Sequence, residues 1–223
     1  MSSRFNYLIR PALLAASMLL LSQSATAQFG AAPLGDGPWD LQSFQAKINV
    51  SVVARGLEHP WSFAFLPNGD LLITEREGRL RLMHDGVLAP EPIAGMPAVH
   101  AEGLLGFMEV LPHPDFAQNQ QLYLTYHKLV SAEPKAVAFV LASARLNGTE
   151  LTDVKELLVS DTWDGAGGAA ARLAYGTDGK LYMSLGATRD GSGQEPGSLR
   201  GKILRLNDDG SAPADNPFIG QAG

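Results

Sequence analysis

Cysteine does not occur among the 223 residues, which excludes disulfides, thiolate nucleophiles, zinc fingers and iron–sulfur clusters. Charge is sparse as well: 17 Lys and Arg stand against 23 Asp and Glu, for a formal net charge of −6. No face of clustered Lys and Arg stands out, so nucleic acid is not an expected partner. No His-x-His or His-x-x-x-His spacing occurs, and His59 and His113 are too far apart in sequence to argue a metal site. After the first 27 residues no apolar period of 3.6 residues is sustained, which argues against a helical protein. Long hydrophobic runs are missing too. The longest, Ala12-Leu13-Leu14-Ala15-Ala16-Ser17-Met18-Leu19-Leu20-Leu21, falls far short of the roughly 20 residues that span a bilayer.

That run has the context of an export leader. Arg4 and Arg10 precede it, and Ala25-Thr26-Ala27 supplies a small-x-small cleavage site. Residues 1–27 are expected to be a signal peptide and the mature chain to begin at Gln28, in the periplasm or outside the cell. The leader carries two arginines and no acid, so its removal takes the formal charge from −6 to −8. With no second run approaching spanning length, no membrane association is expected after cleavage.

What remains is 45% hydrophobic and turn-rich, with 24 Gly and 14 Pro in no fixed period, a composition for a sizeable core made of many short strands. Residues 28–47 are weakly patterned and read as a lead-in. Residues 48–223 then alternate between short β-rich runs and Asn-Gly or Asp-Gly turns, which need the positive φ that Gly and Asn tolerate. One phrase returns. Phe63-Ala64-Phe65-Leu66-Pro67-Asn68-Gly69-Asp70-Leu71-Leu72-Ile73-Thr74 has the pattern of Leu173-Ala174-Tyr175-Gly176-Thr177-Asp178-Gly179-Lys180-Leu181-Tyr182-Met183-Ser184. A degenerate copy runs from Pro114 to Tyr126, followed by a strand at 137–146. A repeat at 51 to 59 residues, with about four strands per unit, predicts an all-β fold of the β-propeller type, here a partial ring of about three to four blades. A β-sandwich is the alternative.

The order of motifs resembles the glucose/sorbosone dehydrogenase family, PQQ-dependent soluble aldose dehydrogenases on a six-bladed propeller. The resemblance is carried by Gly56-Leu57-Glu58-His59-Pro60-Trp61, His113-Pro114-Asp115-Phe116, Arg172-Leu173-Ala174-Tyr175-Gly176, Gly201-Lys202-Ile203-Leu204-Arg205-Leu206 and Asp215-Asn216-Pro217-Phe218. It covers the family's N-terminal half. It implies a sugar substrate, oxidised at its C1 hydroxyl to the lactone by hydride transfer to PQQ, with Ca²⁺ as a further candidate. The family's general-base His falls on Gly168, its cofactor-side Gln on Ala101 with Glu102 beside it, an acidic residue on Ala187, and a further His on Leu199. Later Arg and Lys cofactor ligands of the family would lie beyond Gly223.

The catalytic residues are therefore unknown from the sequence. Asp164 is a substitute base candidate, if the Gly/Ala run 165–171 folds it back. Arg172 either faces an anionic quinone, which makes it a cofactor-binding candidate, or braces a loop. His113 is expected to be a turn histidine and His59 part of a packed strand start. The loop Asp190-Gly191-Ser192-Gly193-Gln194-Glu195 offers oxygens to Ca²⁺ but lacks EF-hand spacing, so a solvated loop is the better reading. Asn49-Val50-Ser51 and Asn147-Gly148-Thr149 match the glycosylation sequon. Three functions stay open: a PQQ sugar dehydrogenase impaired on its own, a non-catalytic sugar- or partner-binding module, and an inactive fragment. Open sheet edges invite self-association.

Overall fold

The computed structural model describes Gly35 and residues 37–165, 167–168, 170–187 and 190–219. The expected signal peptide lies outside them. The chain divides into two compact units, Met1–Val52 and Val53–Gly223. In the first, the strands β1 (Trp39–Gln42) and β2 (Lys47–Val50) form an antiparallel hairpin. Ser43 closes it: its N–H and Oγ both donate to Ala46 O, each at 2.9 Å. The lead-in thus contains a strand, hidden in the sequence by flanking Gly and Pro. The alternating run that opens at Ile48 leaves the strand after Val50.

The second unit is a series of antiparallel meanders. The first sheet takes β3 (Pro60–Phe65), β4 (Leu71–Glu75), β5 (Arg79–His84) and β6 (Val87–Leu88) in chain order. The second takes β7 (Phe107–Pro112), β8 (Gln121–Ala132), β9 (Lys135–Asn147) and β10 (Glu150–Val159). The third takes β11 (Ala171–Tyr175), β12 (Leu181–Leu185) and β13 (Ile203–Leu206). The first strands of the sheets lie side by side, β3 against β7 and β7 against β11. Sheets standing face to face around adjacent inner strands are propeller blades, as the repeat predicted. The only helix of α type among the described residues is one turn, α1 (Phe116–Asn119).

Period-two alternation makes the middle blade a shared wall. Along β8, Leu122, Leu124 and Tyr126 join Leu72 and Leu80 of the first blade in one buried cluster, with Val140 and Ala142 of β9. Tyr123, with Phe139 and Leu141 of β9, turns the other way, against Leu173, Leu181 and Met183 of the third blade.

The repeated phrase folds alike each time. Leu66 N–H bonds Asp70 O and Gly69 N–H bonds Leu66 O; Gly176, Gly179 and Lys180 repeat this, as do Asn207, Gly210 and Ser211. Gly69, Gly179 and Gly210 all sit at positive φ, between +71° and +91°. The degenerate copy departs from it. There His113 N–H reaches Gln121 O, eight residues on instead of four, because α1 inserts one helical turn, and Gln120 takes the left-handed position at φ 55°.

Candidate active site

Contacts between blades gather the starts of the three inner strands at one end. Phe107 N–H donates to Arg76 O (2.9 Å), beside the pairing of Pro60 with Glu75, and Thr125 Oγ1 donates to Ala171 O (3.1 Å). A polar chain crosses all three blades there. Ser62 Oγ donates to Glu109 Oε1 at 2.7 Å, and Arg172 Nε stands 2.8 Å from Glu109 Oε2, at ion-pair distance but off the hydrogen-bond line. Glu109 is buried, whereas the Arg172 side chain is 62% exposed. Burial pushes the Glu109 carboxyl above its ordinary range, against the opposing pull of Ser62 and Arg172. Arg172, on β11, thus stands against Glu109, on β7, across the junction of the second and third blades.

Gly168, where the resemblance places the family's base, sits at φ +79°, and its carbonyl lies over Gly186 so closely that a Cβ on Gly186 would collide with it. Gly186 N–H donates to Ala170 O at 2.8 Å. Trp163 anchors the same segment by donating Nε1–H to Gly167 O (3.1 Å) and pairing its backbone with Val137 in both directions. Asp164 follows it, exposed and without a hydrogen bond or ion pair among the described residues. The structure therefore does not bring Asp164 onto the Glu109–Arg172 chain.

The surrounding cations are already engaged. Arg200, buried over the Trp163 ring at 5.8 Å, donates Nε–H to Asp161 (2.9 Å) and Nη1–H to Asp190 (2.8 Å). Burial raises the Asp161 carboxyl, but Arg200, Ser198 Oγ–H and the Leu199 N–H together hold it below its ordinary value. Lys202 Nζ donates to the carbonyls of Gly193 (2.9 Å), Arg200 (3.1 Å) and Ser192 (3.4 Å). The Asp190 carboxylate and the Ser192 and Gly193 carbonyls, among the oxygens considered for Ca²⁺, thus already receive protein donors. Arg76 donates to Gly103 O (2.8 Å) and pairs with Glu77 (3.1 Å), which also takes His59 Nδ1 (2.7 Å). Glu102 holds Lys135 and His100. Ala187 packs its methyl beside Gly193 and Gly201, and Leu199 packs on the second core.

His127, which the sequence did not mark, faces the same end. It is fully buried, its Nδ1 is 3.1 Å from both N and O of Gly106, and its ring lies 4.7 Å from Phe139 and 5.8 Å from Trp163. Its Nε2 has no partner among the described residues, and burial lowers its pKa to about 4. Glu109, His127, Trp163 and Arg200 were invisible as site residues because blade-on-blade contact, not spacing, groups them. Lys202 stood in a quoted motif, but its carbonyl partners are a loop property. His113 is elsewhere, at the α1 turn, accepting from Asp115 N–H (2.9 Å) and packing on Tyr123 and Tyr175.

An anionic quinone needs cationic or N–H donors with capacity to spare, and sugar oxidation needs a proton acceptor in reach. The described residues do not by themselves fit the group: Arg76, Arg200 and Lys202 already face internal carboxylates and carbonyls.

The fold defines a partial propeller of the sugar-dehydrogenase type, two four-stranded blades followed by a three-stranded one. Residues 57–223 match the Glucose / Sorbosone dehydrogenase family, and the chain belongs to it. It is 34% identical over 184 residues to the aldose sugar dehydrogenase YliI of Escherichia coli, covering 80% of this chain and 49% of that protein. Among solved structures, a glucose dehydrogenase is 41% identical with a TM-score of 0.69, over 75% of this chain and 53% of that one. The PQQ-bound aldose sugar dehydrogenase of Streptomyces coelicolor is 30% identical with a TM-score of 0.58, over 75% and 50%. The chain spans about half the length of the curated relatives it matches.

Proposed function

We propose that this chain is the blade framework of an exported, PQQ-type aldose sugar dehydrogenase, and that by itself it does not oxidise sugar at the rate of its relatives. The resemblance carries this: it puts the family's general base at Gly168, a residue with no side chain to accept a proton, here held at φ +79°. A positioned base contributes typically 10²–10⁴-fold, so its loss alone moves the reaction out of the enzymatic range. Weak quinone affinity accompanies it, since the nearby cations are already paired. Export to the periplasm or medium rests on the leader.

The test is purified mature protein given PQQ and Ca²⁺, with glucose-dependent dye reduction followed beside YliI. Turnover at a matching rate that Asp164→Ala abolishes would refute the proposal and make Asp164 the base. A second reading, a non-catalytic binding module, is favoured by the row Trp61, Phe63 and Phe65 on β3, 41%, 64% and 67% exposed. Aromatic faces suit sugar rings or a second copy, and Trp61 emission during sugar titration, beside the solution mass, separates these partners.

A further inference from the structure

The chain holds two Asn-Gly pairs, Asn68-Gly69 and Asn147-Gly148, and both asparagines are exposed. What holds them differs. Asn68 Nδ2 donates to Asp70 Oδ2 (2.8 Å), its Oδ1 accepts from the Asp70 N–H (3.2 Å), and Gly69 N–H donates to Leu66 O (2.9 Å). Both the amide carbon and the neighbouring backbone nitrogen are thereby kept in place. Asn147 ends β9 opposite Glu150, across a two-residue turn. Neither its carboxamide nor the Gly148 N–H makes a hydrogen bond among the described residues. Gly148 has φ +61°, and nothing lies within 4 Å of where a Cβ would stand, so the approach to its nitrogen is open.

We propose that Asn147 is a site of spontaneous deamidation and that Asn68 is protected from it. The Gly148 backbone nitrogen attacks Asn147 Cγ and a C–N bond forms, closing a five-membered imide. The Cγ–NH₂ bond breaks, and ammonia departs with the proton lost from the attacking nitrogen. Water then opens the ring to isoaspartate or aspartate. Hydroxyl replaces amine, so one carboxylate, and one negative charge, is gained with no oxidant or reductant. Isoaspartate carries an extra backbone carbon into the last pair between β9 and β10. Leu146 and Leu151, which flank that turn, are buried in the core between the first two blades, so the product loosens an anchored hairpin. Asn147 also heads the Asn-Gly-Thr sequon. A glycan on its Nδ2 would replace the leaving ammonia and block the reaction.

The experiment uses the full protein from a host without N-glycosylation, held warm at mildly alkaline pH. Peptide mapping by mass spectrometry, isoaspartate-specific methylation and isoelectric focusing follow the change. The folded protein is expected to convert Asn147 at least about tenfold faster than Asn68, because three hydrogen bonds must open before Asn68 can react. Denatured protein should convert the two alike, and Asn147→Gln should remove the acidic satellite on focusing. The proposal is overturned if folded protein converts Asn68 as fast as Asn147. It is overturned equally if Asn147 stays intact when folded yet converts when denatured, since the turn would then be too rigid for ring closure.

Discussion

His127 has a choice of two tautomers, and each leaves a buried nitrogen unpaired. If Nδ1 accepts the Gly106 N–H, the proton on Nε2 meets only aromatic rings; if Nδ1–H donates to Gly106 O, the Nε2 lone pair is stranded. The charged form is worse, since burial disfavours it and His100 adds like-charge repulsion against the pull of Gly106 O. Because the folded pKa, about 4, lies below the ordinary 6.5, acid favours the unfolded chain. The stability present above pH 6.5 is lost progressively toward pH 4, by about 3 kcal/mol at the limit. His127→Phe should flatten this limb in urea titrations at successive pH values; an unchanged pH slope would contradict the burial argument. Glu109 acts with the opposite sign. Its folded pKa lies above 4.5, so its neutral form is favoured and stability falls as pH rises through the folded value. Glu109→Gln should therefore stabilise the protein at neutral pH and lose that advantage below about pH 4.5. Neither residue was legible in the sequence. Each takes its character from groups more than twenty positions away or on another blade, and period-two alternation does not tell a polar side chain facing a neighbouring sheet from one facing water.

Elements were far more legible. The Asn-Gly and Asp-Gly phrases announced the turns because positive φ restricts residue choice locally. Their identical hydrogen bonds at Leu66, Gly176 and Asn207 follow from that chemistry. The helical turn inserted at Phe116–Asn119 was not legible, since four residues are too few to show a period. The same backbone need meets different surroundings at Gly69 and Gly210. A Cβ on Gly69 would meet nothing within 4 Å, whereas on Gly210 it would stand 2.7 Å from Leu157 Cβ. Gly69→Ala should cost roughly 1–2 kcal/mol from the left-handed backbone alone. Gly210→Ala should cost about twice that by denaturant unfolding, the excess being steric. Lys202→Met should strip the carbonyls of Ser192, Gly193 and Arg200 of their donor. Amide exchange should then accelerate over 190–201 while β12 and β13 stay protected; equal acceleration across the whole sheet would mean that the lysine stabilises the blade rather than the loop.

At the scale of the molecule, the three blades stand or fall with the middle one, whose two faces contribute to both cores. Leu124→Ala, facing the first blade, and Leu141→Ala, facing the third, should each cost about 2–5 kcal/mol. Both should shift one cooperative transition seen alike by circular dichroism and by tryptophan emission; two separated transitions would show that the blades unfold independently. Fold class and blade order could be read from the sequence because repetition multiplies a weak local signal. The site could not, because the substitution at Gly168 says what is gone and nothing about what replaces it.

The packing of Gly168 over Gly186 bears on what restoring a side chain there would take. Placing histidine at 168 requires abandoning a φ of +79° that side chains resist, and an acid at 187 must displace contacts to Gly193 and Gly201. Each step first disturbs a packed loop. A histidine at 168 or an acid at 187 would thus have to rebuild the loop around Gly186, Gly193 and Gly201 before its side chain could be held in any fixed pose.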